Sequence, residues 1–193
     1  NPAHAHIREL SAWPVSGEPI DLLPDEVTVA EELKLTGYAP AMIGKWGMDE
    51  SSTTGSALDQ GFDFFYGYKN HTEAHHYYPE YIWRNREKIL LPNNVTAEKK
   101  GEYSNDAFTR EALDYIRGNQ AKPFFLYLAY TIPHNEITVP EDSKKPYENL
   151  NWPKKTMKSG HYHHDPEGNT TYAGMISRLD RYIGQILAEL KAR

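Results

Sequence analysis

One segment constrains the fold more than any other: Phe124-Phe125-Leu126-Tyr127-Leu128-Ala129-Tyr130, an unbroken apolar and aromatic run directly after Pro123. A run this short, without alternation, reads as a strand buried on both faces, the pattern of a parallel sheet covered by helices. Parallel strands need crossover connections, so helical periodicity should flank it. Before it, Phe108, Ala112, Leu113 and Ile116 recur at helical spacing from Ser104 or Asp106 to Gly118. After it, Met175, Ile176, Leu179, Ile183, Ile186, Leu187 and Leu190 fall on one side of a helix beginning near Thr171.

The same order occurs once earlier. Thr28 is followed three residues on by Glu31, the spacing of a capping box, and Val29, Ala30, Leu33 and Leu35 give a helix an apolar face up to Gly37. Tyr38 to Gly44 follows as a compact apolar strand with Pro40 near its start, and Lys45 emerges at its C-terminal end. From Trp46 to about Asn94 periodicity is lost, which predicts a long excursion with short strands around Ile82 and Ile89 to Leu91. A second excursion, Thr131 to about Glu167, carries five prolines and a group of histidines. Excursions of that length are uncommon unless functional.

The alternation predicts an α/β fold, a partial doubly wound and mostly parallel sheet flanked by helices, with sites beyond the C-terminal strand ends. Lys45 and His134 would project toward the same rim. At 193 residues the chain is expected to form a single domain.

The net charge of -6, from 21 basic and 27 acidic residues, includes no block of like charge, so neither nucleic acid nor a membrane surface is an expected partner. The absence of cysteine excludes disulfides, cysteine-based zinc sites and a thiol nucleophile within the chain, and leaves the compartment open. No apolar run approaches the roughly 18 residues that span a bilayer. Beginning at Asn1-Pro2-Ala3-His4 without an initiator Met, the chain reads as a fragment or a processed product. Its 14 Tyr, 4 Trp and 9 His fit a cleft lined by aromatic and imidazole groups, or tyrosines lining an α/β layer.

Two residues stand where chemistry is expected. Lys45, in Gly44-Lys45-Trp46-Gly47, is either a fixed positive charge for an anionic oxygen or an exposed lysine after a strand. His134, after Tyr130-Thr131-Ile132-Pro133, is either a donor and general acid or a loop histidine bonded to a carbonyl. Asn70-His71-Thr72-Glu73-Ala74-His75-His76-Tyr77-Tyr78-Pro79 concentrates imidazoles and a carboxylate, and zinc is conceivable there, although the spacing is not that of a zinc motif. His161, His163 and His164 form a second group, and His4 and His6 beside Arg8 a third. Asn70-His71-Thr72, Asn94-Val95-Thr96 and Asn169-Thr170-Thr171 match the glycosylation triplet.

Four motifs in order carry a resemblance. Thr36-Gly37-Tyr38 runs into Ile43-Gly44-Lys45-Trp46-Gly47; then come Gln60-Gly61-Phe62-Asp63-Phe64-Phe65-Tyr66-Gly67-Tyr68 and the stretch Pro123 to His134; Tyr172 to Asp180 closes the set. Together they resemble the type I sulfatases, arylsulfatase-like members of the alkaline-phosphatase-like superfamily, over almost the whole chain. The resemblance implies a hydrolase of sulfate esters with a formylglycine nucleophile, made from Cys or Ser in C/S-x-P-x-R, beside a calcium ion held by Asp and Asn side chains. Neither motif occurs here, and His4-Ala5-His6-Ile7-Arg8 resembles the stretch that commonly comes shortly after the nucleophile. Residues 1-193 are therefore expected to be one partial catalytic domain, lacking the N-terminal nucleophile region and the C-terminal metal motif, with no metal ligand assigned in it and no activity alone.

By the same resemblance Lys45 grips the sulfate, and His134 contacts the sulfate and protonates the leaving alcohol. Many sulfatases have a histidine where this chain has Gly47. The resemblance makes His75 the candidate to replace it, because the His-rich segment comes after the Gly67 turn lining the cleft, and His71 a further substrate-binding residue. The expected partner is a sulfated small molecule or glycan, and the expected location periplasmic or secreted, in a bacterium. Two readings stay open beside this one: a phosphatase or phosphodiesterase of the same superfamily, and a non-catalytic glycan-binding or structural domain derived from a sulfatase, a truncated product without a role included.

Overall fold

The structure, a computed structural model, describes residues 22–49, 55–94, 101–119, 121–154 and 161–193. His4, His6 and Arg8 lie outside the described residues, as do Val95 and Thr96. The chain divides into two compact units. One comprises residues up to Ala74, Ile82–Ile89 and Gly118–Ala129; the other comprises His75–Tyr81, Leu90–Arg117 and Tyr130–Arg193.

The first unit opens with helix α1 (Val29–Leu35), and both halves of its capping box form. The Thr28 N–H donates to Glu31 Oε2 at 2.6 Å, and the Glu31 N–H donates to Thr28 Oγ1 at 3.2 Å. Two of the backbone donors at this helix start are thereby satisfied within the motif. Strand β1 (Ala39–Lys45) is flanked on both sides in a five-stranded sheet. It pairs in parallel with β2 (Phe64–Tyr68) on one side and with β5 (Phe124–Ala129) on the other. Beyond β2 lie β3 (Tyr81–Arg84), antiparallel to it, and β4 (Glu87–Leu90), giving the order β4-β3-β2-β1-β5. Ala41, Met42 and Ile43 are wholly buried, as a strand with neighbours on both edges requires. Ala30, Met42, Ala57, Phe62 and Phe65 form the core, against which Trp46, Phe125 and Ala129 pack. Each large apolar side chain enclosed there stabilises the fold by roughly 1.5–3 kcal/mol.

Two expectations are corrected in this unit. The excursion after Trp46 contains an interior strand of the sheet, β2, and Gly67 lies inside it and not at a turn. The aromatic run Phe64-Phe65-Tyr66-Gly67-Tyr68 suits a strand, but its apolar residues obey no alternation because β2 is buried on both faces. Within the run Phe124 to Tyr130, β5 is conversely the end strand of the sheet among the described residues, paired there with β1, and Tyr127 is 48% exposed. Length and apolarity do not distinguish an interior strand from an end strand.

The second unit holds α2 (Ser104–Gly118), the short α3 (Glu141–Lys144) with a 3₁₀ segment at Lys145–Leu150, and α4 (Asn169–Lys191). Its core is Tyr77, Tyr103, Ile132, Ile137, Val139, Met175 and Tyr182. The buried side of α4 differs from the expected one. Thr171, Met175, Arg178 and Tyr182 face inward, whereas Ile176, Ile183, Leu187 and Leu190 are exposed. The reason is an ion network: Arg178 forks onto both oxygens of Asp106, at 2.7 and 2.6 Å, and reaches Asp142 and Ser143 at 2.8 Å each. Tyr182 donates to the same Asp106 carboxylate.

Candidate active site

In the first unit, β1 and β2 run in parallel and end in register, Lys45 opposite Tyr68. The pairing continues past them, with the Trp46 N–H donating to Tyr68 O at 3.0 Å and the Gly47 N–H to Lys69 O at 2.9 Å. Side by side, the two chains leave the sheet and bring His71 to Lys45, Nδ1 to Nζ at 2.7 Å. An ammonium has only donors, so with Lys45 charged the imidazole accepts through Nδ1 and carries its proton on Nε2. The pair thus presents a cation and an N–H donor together, the equipment for holding an oxyanion. The strand tips behind it are closely packed. A Cβ at Gly44 (φ +113°) would fall 1.9 Å from Ala129 O, and one at Gly67 would fall 1.9 Å from Gly44 O. Gly47 lies beside the Lys45 stem: a Cβ there would meet Cε at 3.3 Å.

His134 and His75 belong to the second unit, where they pack face to face with centroids 5.7 Å apart and planes 10° from parallel. Tyr77, fully buried, holds this region. Its hydroxyl donates to Thr131 O at 3.2 Å and accepts the His134 N–H at 3.2 Å. Asn105, also buried, accepts from the Thr131 N–H and Oγ1 at 3.1 Å each. Both hold the segment that presents His134 through hydrogen bonds shielded from water, where geometry is strictly kept. His75 is buried, and its Nδ1 meets His161 Nε2 at 2.9 Å. His76 pairs with the buried Glu136 carboxylate at 2.8 Å, a bond that raises the imidazole pKa above its ordinary 6.5 although burial opposes it. Glu136 also accepts the Tyr77 N–H at 3.2 Å.

The imidazoles of residues 71–76 therefore engage different partners: Lys45 for His71, His161 for His75, Glu136 for His76. Among the described residues no group of three or more His, Cys, Asp or Glu side chains is arranged to hold a metal ion, so no calcium-dependent step is derived from them. Among these residues, too, no helix is long and apolar enough to cross a membrane. Asn94, in one glycosylation triplet, is buried. Its amide donates to Pro79 O and Glu102 O at 2.8 and 2.9 Å, and its oxygen accepts from the Gly101 and Glu102 N–H groups, a structural role that leaves no place for a sugar in the folded chain. The contact of His161 with His75 was not legible in the sequence, since 86 residues separate them.

A family model described as Sulfatase matches residues 4–193. An arylsulfatase of Hemicentrotus pulcherrimus is 32% identical over 148 residues, covering 67% of this chain and 25% of that protein. The arylsulfatase of Klebsiella aerogenes is 28% identical over 134 residues, 62% of this chain and 27% of that one. The crystal structure of Ps i-CgsB matches with a TM-score of 0.70 at 23% identity, covering 94% of this chain and 40% of that one. That likeness shows the fold, an α/β core of the alkaline-phosphatase-like kind. The chain spans between 25% and 40% of the length of these proteins.

Proposed function

Because this chain belongs to the sulfatase family, we propose that the protein of which it forms part is a sulfuric-ester hydrolase, and that this segment holds the sulfate group. The observation that carries the reading is Lys45: the family lysine by motif, it stands at the C-terminal end of β1 with His71 at 2.7 Å. The work divides between charge and proton transfer. Lys45, supported by His71, offsets charge on the sulfate oxygens as the ester bond breaks. His134 donates a proton toward the departing alcohol oxygen, and His75 takes the proton-transfer role for which position 47 holds no histidine. The formylglycine and calcium of the family, supplied by sequence outside these 193 residues, would provide the nucleophile and a Lewis acid. The 193-residue chain alone is accordingly expected to be inactive.

For the substrate we propose a sulfated glycan. Two similar solved structures are complexes with saccharides, one with k-i-k-neocarrahexaose and one with its substrate D-glucosamine-2-N,6-O-disulfate. The aromatic and imidazole side chains around His75, among them Tyr162 at 5.1 Å, offer flat faces of the kind that sugar rings pack on. A polymer of this sort is met outside the cytoplasm, so a periplasmic or secreted location is proposed with it. The test is to incubate the full-length protein with sulfated oligosaccharides and measure free sulfate. Release that is lost in Lys45→Ala supports the reading, and release that persists undiminished in Lys45→Ala contradicts it.

A further inference from the structure

We propose that His161 is the positioning residue of His75. The assignment rests on the sulfatase reading above and goes beyond it by giving the replacement histidine its own support. His75 is buried, and an imidazole in that setting is useful only if its reacting nitrogen is aimed and its ring proton placed. His161 does both. Its Nε2 lies 2.9 Å from His75 Nδ1, and the two rings stack with centroids 5.0 Å apart at 26°. Whichever ring donates, His75 Nδ1 is committed to His161, and catalytic proton transfer falls to Nε2.

The ring has little room to turn. His134 covers it at 5.7 Å, nearly parallel, and Tyr162 lies against His75 at 5.1 Å and against His161 at 4.3 Å. Among the titratable groups facing His75 are His134, His161 and Tyr162, and His76 faces His161 edge-on at 5.9 Å. His161 itself is exposed. A buried imidazole bonded to an exposed one can exchange its proton with solvent through that partner, so His161 both orients His75 and connects it to water. This is the role an orienting partner plays beside any acid–base histidine, performed here by a second imidazole.

The experiment uses the full-length protein and a sulfated oligosaccharide, with free sulfate as the readout. His161→Ala and His161→Phe should lower kcat by at least about tenfold while KM stays within about twofold. Phe keeps the stacking and removes only the hydrogen bond, so its loss isolates that bond. His161→Asn should retain most of the activity, and added imidazole should restore His161→Ala. The pH profile of kcat/KM should also shift in His161→Ala, with the melting temperature unchanged. Wild-type kcat in His161→Phe would overturn the assignment, as would a loss in His161→Ala that imidazole leaves unaltered and a lowered melting temperature accompanies. If the unaltered protein releases no sulfate, the sulfatase reading itself fails and this assignment with it; sulfate release with unaffected His161 variants overturns the assignment alone.

Discussion

Lys45 Nζ and His71 Nδ1 lie 2.7 Å apart although 26 residues separate them, because β1 and β2 end in register and their continuations leave the sheet together. In the function proposed above, this pair is the chain's own anion-holding device. In the full-length protein, Lys45→Ala should lower kcat/KM by about a hundredfold or more, the loss seen when a preorganised donor to a developing oxyanion is removed. Lys45→Arg should recover little, since the planar fork cannot take the place of a compact ammonium. His71→Ala should cost about tenfold, with the ammonium retained but no longer held. Initial rates of sulfate release check all three.

The ion network inside the second unit bears on stability. Arg178 is 8% exposed, and removing Asp106 leaves its charge to the half-exposed Asp142. Asp106→Ala should destabilise the protein by about 1.5–3 kcal/mol, read as a lowered melting temperature. Replacing both together, Asp106→Leu with Arg178→Met, should cost clearly less, because no buried charge is stranded. Equal losses from the single and double variants would contradict this.

His76 gives a pH dependence whose sign is fixed. Its bond to Glu136 raises its folded-state pKa above the ordinary 6.5, so the pairing contributes fully below 6.5 and is lost as pH rises through the folded value. The melting-temperature difference between wild type and His76→Gln should therefore be larger at about pH 5.5 than at about pH 9. In a Glu136→Gln background the pH dependence of that difference should shrink.

At the strand tips the constraint is steric. In Gly44→Ala the new methyl would fall 1.9 Å from Ala129 O, so β1 and β5 cannot keep their spacing, and the soluble yield should collapse. Gly118→Ala meets nothing within 4 Å and should leave the melting temperature unchanged or slightly raised.

Local chemistry was legible in the sequence, and long-range geometry was not. The capping box at Thr28 and Glu31, the strand ending at Lys45 and the helix from Ser104 to Gly118 are written in short patterns of propensity and period, and the structure has them all. β2 was hidden because Phe64 to Tyr68 is a buried run without alternation inside a glycine-rich stretch. The inward side of α4 was misassigned because hydropathy favours Ile and Leu, while Arg178 and Tyr182 are buried through partners on α2 and α3 that periodicity does not reveal. Lys45, His71, His75 and His134 were each singled out as candidates from position or motif. That His71 serves Lys45 depends on the β1–β2 register, and that His161 serves His75 depends on a contact across 86 residues. Neither relation is encoded locally.

A sulfuric-ester hydrolase must discriminate between sulfate and phosphate esters. The full-length protein should be given a sulfated oligosaccharide and, in parallel, aryl sulfate and aryl phosphate esters, with inorganic sulfate and phosphate quantified over time. Sulfate release far exceeding phosphate release, and abolished in Lys45→Ala, is the predicted result. Faster phosphate than sulfate release, or no sulfate from any of the esters, would contradict it.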